Sequence, residues 1–438
     1  MSVRTGKPEE SQMDRRRFVK TVGASAGTLA LGGTSVLSAA AEDIESLALQ
    51  PAQPMGSDVT VDVAVIGAGV MGNWTALHLR EMGLSVALVD QYGVGNSKSS
   101  SPGEIRGMRL TYGEDEHEML WARDACEQWK LRGAEFGTQM FYQCGGLSFR
   151  REWTARNTVE RALFDKHQVP YEVIRYDELV RRWPQAPPPS EEHFGFYHPW
   201  GGVLSPRDAN MAVATSFKKK GGKFLLGKAA PGARAGGSLQ TVTLSSGETV
   251  SAGAFVFALG AWLPKVFPEV MTGKLSVRKA AYNMIGTPPG DHRFAVPNLP
   301  NTGLGLPSIN GAGFGLLINP TDEVDPDEYE RLPSADETAR ARRTLATRFP
   351  ALKDQPILHV WTCQTENSVD GQCIFDLHPE MDNVWLVGGG SWHAFKIGPV
   401  IGDYVAHRVI GEEQGIPEAN LSGPELAALF KLKAETFA

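Results

Sequence analysis

A chain of 438 residues is too long for one hydrophobic core and points to two domains, or to one carrying an inserted second. With 42% hydrophobic and 21% charged residues it reads as globular, and a formal charge of −7 offers no basic footprint for nucleic acid. Four cysteines with no CxxC pair and no nearby histidine pattern exclude a zinc module.

The first forty residues are of a different kind. RRRFVK (Arg15 to Lys20) precedes a Gly/Ala/Thr-rich apolar run from Thr21 to Leu37, then small residues near Ala39–Ala41. This is the layout of a twin-arginine export signal over 1–41, followed by a linker over 42–57. The run falls short of the roughly 20 apolar residues that a membrane span needs, and no other segment could serve as one. The mature chain, with a formal charge near −10, is therefore expected in the periplasm or outside the cell. The twin-arginine route carries proteins already folded, typically around a cofactor loaded in the cytoplasm. It hints at a redox cofactor and weakens any disulfide reading.

Val61 to Asp90 gives a strand, a glycine turn, a helix and a second strand ending in an acid. Gly67, Gly69 and Gly72 form GxGxxG: the first permits the turn, the second lets backbone approach a pyrophosphate, and the third lets helix pack on strand. Asp90, twenty-one residues beyond Gly69, is placed to accept ribose hydroxyls. Next come Arg106 and Arg109, three apart, so that a helical turn would put both on one face.

Arg181 to Phe194 is a proline-rich loop, and Phe217 to Phe224 a lysine-bearing helix end. Ser251 to Trp262 reads as a buried strand closing in a small-residue turn. Asp322 to Phe349 reads as a solvated loop and an amphipathic helix. Between Trp361 and Glu380 lie Cys363 and Cys373, which on their own read as buried thiols, with a disulfide between them as the alternative. Asn383 to Val405 is a strand, a glycine turn and a helix, where Gly388, Gly389, Gly390 and Gly398 could let backbone lie against a ring system. The first unit alone does not separate NAD from FAD. A chain that returns to the nucleotide site in its middle and at its end favours FAD.

These pieces together resemble the amine-oxidising flavoproteins of the D-amino-acid oxidase superfamily, in the branch of monomeric sarcosine oxidase and N-methyltryptophan oxidase. VIGAGVMG, SSSPGEIRGMRLTYGE, GAW, GLPS, DLHPE and WHAFK follow that family's order from about Val61 to Val409. The resemblance implies FAD joined through a thioether to Cys363, thirteen residues before Asp376, and it leaves Cys373 in the core. It places Arg106 against the flavin, Arg109 and Lys396 on a substrate carboxylate, and His393 beside them, with Gly389 and Gly390 at the cofactor. The implied fold is α/β (α+β): a Rossmann-like FAD-binding domain and an antiparallel-sheet substrate domain, p-hydroxybenzoate-hydroxylase-like. The FAD domain is expected over 58–125, 195–265 and 365–430, and the substrate domain over 126–194 and 266–364.

Departures from the family's pattern matter as much. A lysine that promotes reaction of the reduced flavin with oxygen is replaced by Gly315 or Phe314, and no lysine occurs between Lys279 and Lys353. Leu304, Asn319, Thr365, Ser101 and Pro102 replace other pocket residues. The expected activity is FAD-dependent oxidation of the C–N bond of an amino-acid-like amine with a carboxylate, the substrate not being sarcosine, and with oxygen as acceptor. The alternatives are a flavin dehydrogenase feeding another acceptor and a flavin-binding accessory subunit without turnover.

Overall fold

The computed structural model describes residues 58–437 other than 102, 292, 293, 301–304 and 319–321. The export signal and linker expected over 1–57, and the expectations placed on Pro102, Leu304 and Asn319, lie outside the described residues.

The fold is mixed α/β, as the sequence implied. β1 (Val59–Ile66), helix α1 (Val70–Glu81) and β2 (Val86–Asp90) form the opening unit, with β1 and β2 parallel. β3 (Arg106–Met108) and the long helix α2 (Glu116–Phe136) follow. β4 (Thr249–Phe257) pairs parallel to β1 on the side away from β2. β1, β2 and the inner end of β4 are β-branched and apolar because both faces are covered, which is what a parallel sheet requires. The eight-stranded sheet is completed by Lys223–Leu226 beside β2, by Ala229–Pro231 and Thr241–Leu244, and by two C-terminal strands.

A second, antiparallel sheet is built from Gly305–Leu306, β5 (Leu275–Ile285), β6 (Phe314–Ile318) and β7 (Ile357–Ser368), with β5 between β6 and β7. Its register sets Cys363 opposite Ala280 and Gly315 opposite Met284. The chain then returns to the main sheet through Ile374–His378 and β8 (Met381–Gly388), which lies parallel to the inner end of β4. Helix α3 (Gly398–Val409) closes the domain against α1.

Two glycines one turn apart make that closure possible. A Cβ at Gly398 would lie 2.4 Å from Val70 Cγ2, and one at Gly402 would lie 2.4 Å from Trp74 Cβ. Only a bare backbone lets α3 run this close to α1, over the fully buried Trp74. Gly398 therefore serves helix packing, which corrects the expectation that it meets a ring system. The two arginines are likewise not on a helix: Arg106 opens β3 and Arg109 follows that strand's end. An irregular backbone beyond Met108, rather than a helical repeat, brings both to one cavity.

The charged run at 322–349 resolves into a loop and the helix Ala335–Arg348, started by a capping box between Ser334 and Glu337. The loop is not wholly solvated. Tyr329 Oη and Arg331 Nη1 reach in to donate to Gln364 Oε1, at 2.7 and 2.8 Å. No helix among the described residues is long and apolar enough to cross a membrane.

Candidate active site

A cavity of about 620 Å³ runs from the glycine turn after β1 to the second sheet. Gly67, Gly69 and Asp90 line one end, while Arg106, Arg109, Cys363, Gly390, His393 and Lys396 line the other. Segments that are far apart in the chain thus meet around one space.

The three turn glycines divide their tasks. Gly67 sits at φ +104°, and a Cβ there would meet the Ala258 carbonyl oxygen at 2.2 Å. A Cβ at Gly72 would meet the Gly67 carbonyl oxygen at 2.0 Å. At Gly69, the N-cap of α1, a Cβ would meet nothing within 4 Å. Two glycines are thus needed by the protein itself, and the third is open to a ligand at a helix N-terminus, where backbone N–H groups favour a phosphate. Asp90 fixes the turn, accepting from the N–H groups of Ala68, Tyr92 and Gly93 at 2.8 Å each. Burial pushes its carboxyl above the usual range although these donors oppose it.

A prediction separates the roles. Gly72→Ala is expected to cost about 3 kcal/mol of folding free energy, the upper end for overpacking, as read by urea denaturation. Gly69→Ala is expected to stay within about 1 kcal/mol of the parent but to lose bound dinucleotide, as read by cofactor content. Equal losses of stability in the two would refute a ligand-facing Gly69.

At the far end three cations face the cavity. Arg106 lies over the Tyr282 ring at 4.3 Å and donates to the Ser100 carbonyl at 3.0 Å, with Cys363 Sγ 4.0 Å away. Arg109 donates to the Thr111 carbonyl at 2.7 Å and touches His393 Nε2 at 3.4 Å. Lys396, buried, donates to the Trp392 carbonyl. Burial, with Arg109 next, pushes its ammonium well below the usual lysine range. Among the described residues none of the three cations forms an ion pair with a carboxylate. Uncompensated cations in a partly dry site are costly unless a ligand brings the anion.

The loop that carries Lys396 is bent to reach the cavity. Ser391 and Trp392 both hold positive φ, 42° and 70°, a conformation that costs a non-glycine residue on the order of 1–3 kcal/mol. Bonds from Ser391 N to the Glu366 carbonyl and from Ser391 Oγ to the Gly389 carbonyl, both 2.9 Å, hold the bend. Gly390 lines the cavity. Gly388 and Gly389 do not: a Cβ at Gly388 would strike Leu263, and Gly389, at φ +65°, turns the chain behind the wall against Ile374 and Ser368. The assignment of Gly389 to the cofactor is corrected accordingly.

All four cysteines are free, so Cys363 and Cys373 form no disulfide. Cys363 lines the cavity, whereas Cys373 packs into the core beside α2 and α3. Burial raises the Cys363 thiol, and Arg106 opposes it. Thr365 and Ser101 line the cavity. Gly315 is filled over: its Cβ would lie 2.9 Å from Ile105 Cγ2.

Sequence reasoning missed three residues here. Glu118 binds His393, with Oε1 2.6 Å from Nδ1. Glu366 lines the cavity, takes a 2.6 Å bond from Ser100 Oγ, and is raised by burial. Gln364 is fully buried and donates to the Lys98 carbonyl at 2.6 Å. No local pattern marks any of the three.

Comparison with known proteins gives the context. The family described as FAD dependent oxidoreductase (DAO) matches residues 62–408. Monomeric sarcosine oxidase of Bacillus sp. (strain NS-129) is 25% identical over 362 residues, spanning 79% of this chain and 92% of that protein. N-methyl-L-tryptophan oxidase of Salmonella arizonae is 26% identical over 362 residues, spanning 79% and 93%. Among solved structures, L-proline dehydrogenase from P. horikoshii superposes with a TM-score of 0.71 at 21% identity, spanning 81% of this chain and 94% of that one.

Proposed function

Because the chain belongs to the DAO family of FAD dependent oxidoreductases, we propose that it oxidises the C–N bond of an amino-acid-like amine to an imine, which water then hydrolyses. The observation that carries this reading is the trio Arg106, Arg109 and Lys396, unpaired with any carboxylate among the described residues and facing one cavity. The residues present fit FAD: open backbone at Gly69, Asp90 under the turn, Gly390 in the wall, and Cys363 at the far end. FAD, when bound, supplies the acceptor for the hydride. The protein's part is positional. Arg109 offers a bidentate fork and Lys396 a point charge to the substrate carboxylate, which fixes the α-carbon and its amine. Tyr282, Leu317 and Trp392 form an apolar wall that limits water. The relatives named for sarcosine and N-methyltryptophan both have carboxylate-bearing amine substrates, and this supports the class without naming the substrate.

A screen of amino acids and N-methyl amino acids under argon tests the reading. Bleaching of the visible flavin absorbance by one of them supports it. Silence across the screen from a flavin-loaded protein would favour an accessory subunit instead. Export of the mature chain belongs to the same proposal; it rests on RRRFVK at Arg15–Lys20, and cell fractionation tests it.

One observation favours a second reading for the acceptor. Where the resemblance calls for an oxygen-activating lysine, Gly315 and the Ile105 methyl fill the space. An enzyme so built would pass electrons to something other than oxygen. Gly315→Lys alone is expected to lose about 1–3 kcal/mol of stability by overpacking. Paired with Ile105→Ala it is expected to speed reoxidation of the reduced enzyme by air roughly tenfold, a change of about 1.4 kcal/mol in barrier. Stopped-flow reoxidation decides, and an unchanged rate counts against the dehydrogenase reading.

A further inference from the structure

Glu118, the third residue of α2, turns inward and is only 3% exposed. Its Oε1 lies 2.6 Å from His393 Nδ1, and its Oε2 is buried without a hydrogen-bond partner among the described residues. On the ring's other side, His393 Nε2 lies 3.4 Å from Arg109 Nη2. A guanidinium can only donate, so Nε2 must present its lone pair there. The hydrogen then sits on Nδ1, and Glu118 accepts it as a carboxylate. The row Glu118–His393–Arg109 thus fixes a tautomer and leaves a basic nitrogen in the wall of the cavity, next to the carboxylate clamp.

An amino acid arrives with its amine protonated. An ammonium nitrogen has no lone pair to drive loss of hydride from the neighbouring carbon, so a proton must leave first. We propose that His393, held in this tautomer by Glu118, takes that proton from the substrate ammonium. One N–H bond of the ammonium breaks, its electron pair stays on the amine nitrogen, and the proton moves to His393 Nε2, whose lone pair is freed when Arg109 turns its amino group onto the substrate carboxylate. Glu118 becomes the counter-charge of the imidazolium, and nothing is oxidised in the step. His393 is then a catalytic residue and Glu118 a positioning one. This inference rests on the amine-oxidising reading above.

The groups around the ring pull its proton affinity in both directions. Glu118 and His117 approach from α2, Tyr112 and Asp115 from the segment before it, Arg109 from beyond β3, and Lys396 from the ring's own loop. Burial lowers the ring's pKa most, Lys396 and Arg109 lower it further, and Glu118 raises it. Burial works to raise the Glu118 carboxyl as well, but His393, His117 and Lys396 outweigh it and hold the group below the usual range. Both shifts favour a neutral ring beside an ionised Glu118. A substrate carboxylate on Arg109 and Lys396 offsets the two cations that depress the ring. Binding the acid end of the substrate strengthens the base that serves its amine end.

The test uses the flavin-loaded protein and the variants Glu118→Gln, His393→Gln and the pair together. Nitrogen NMR of labelled histidines, with His393 assigned by its loss in His393→Gln, is expected to show hydrogen on Nδ1 in the parent. In Glu118→Gln the His393 pKa is expected to fall by roughly 1–3 units, the effect of losing an adjacent opposite charge. Flavin reduction by saturating substrate should then slow by roughly 10- to 1000-fold below the amine's own pKa, tenfold per unit. The deficit should close as the pH rises past that pKa, where the amine binds already neutral. The double variant should be no slower than His393→Gln alone. Hydrogen on Nε2, or a loss of rate equal at every pH, would overturn the proposal. If no amine reduces the flavin, the amine-oxidising reading falls, while the NMR tautomer still decides whether the pair exists as described.

Discussion

Arg109→Met is expected to lower kcat/KM for a carboxylate-bearing amine by about 30- to 1000-fold, with most of the loss in KM. The figure follows from the roughly 2–4 kcal/mol lost when one partner of a desolvated, hydrogen-bonded charge pair is removed. The geometry says why Arg109 should carry this load. It sits beyond β3, with one amino group on the Thr111 carbonyl at 2.7 Å, and it meets no carboxylate among the described residues. Its guanidinium lies 4.8 Å from the Tyr112 ring, which stiffens the fork before any ligand arrives. Lys396 is the lesser anchor, since burial pushes its ammonium well below the usual lysine range, and an anion beside it would work the other way. Arg109→Lys should recover only part of the loss, because a point charge replaces a planar fork. Steady-state kinetics with a matched amine that lacks the carboxylate is the control. If that amine loses as much as the acid does, Arg109 is not a carboxylate ligand.

The parts of this molecule that backbone geometry dictates were legible before any coordinates. GxGxxG between a β-branched run and a helix leaves few alternatives, since a Cβ at Gly67 or Gly72 would strike backbone at 2.2 or 2.0 Å. The acid at the end of β2 and the glycine turn after β8 follow the same logic. Side-chain partnerships across distant segments were less legible. Arg106 and Arg109 do share a cavity, but through an irregular bend and not a helical face. Glu118 looks in sequence like any acid in the first turn of a helix, where it complements the dipole. Only the packing of α2 beside the 391–396 loop turns it inward to His393. Gly398 and Gly389 look like ring-facing glycines, yet one seats α3 on α1 and the other bends the chain behind the wall. Where the resemblance implies a lysine, the Ile105 methyl lies over Gly315, a relation between separate segments that no single stretch of sequence displays.

Cys363→Ser is expected to release all flavin into the supernatant when the protein is denatured in acid, whereas the parent keeps its yellow colour on the polypeptide. In the parent the added mass of FAD should fall on the peptide that carries Cys363. The reason lies in where β7 delivers this thiol: opposite Ala280, in the cavity wall, with the Arg106 guanidinium 4.0 Å from Sγ. A thiolate is the nucleophile in any bond formed there. Burial disfavours it most, while Arg106 and, more weakly, Arg331 favour it. Arg106→Met should therefore leave Cys363 in place yet slow attachment, giving a mixture of bound and free flavin in freshly prepared protein. Cys373→Ser should leave attachment complete, because Cys373 faces the core beside α2 and α3 and not the cavity. Free flavin from the parent would return Cys363 to the role of a buried thiol. Flavin retained by Cys363→Ser would move the attachment to another residue. A thioether cannot dissociate, so a chain exported as proposed, with its flavin attached at Cys363, would keep that flavin on dilution.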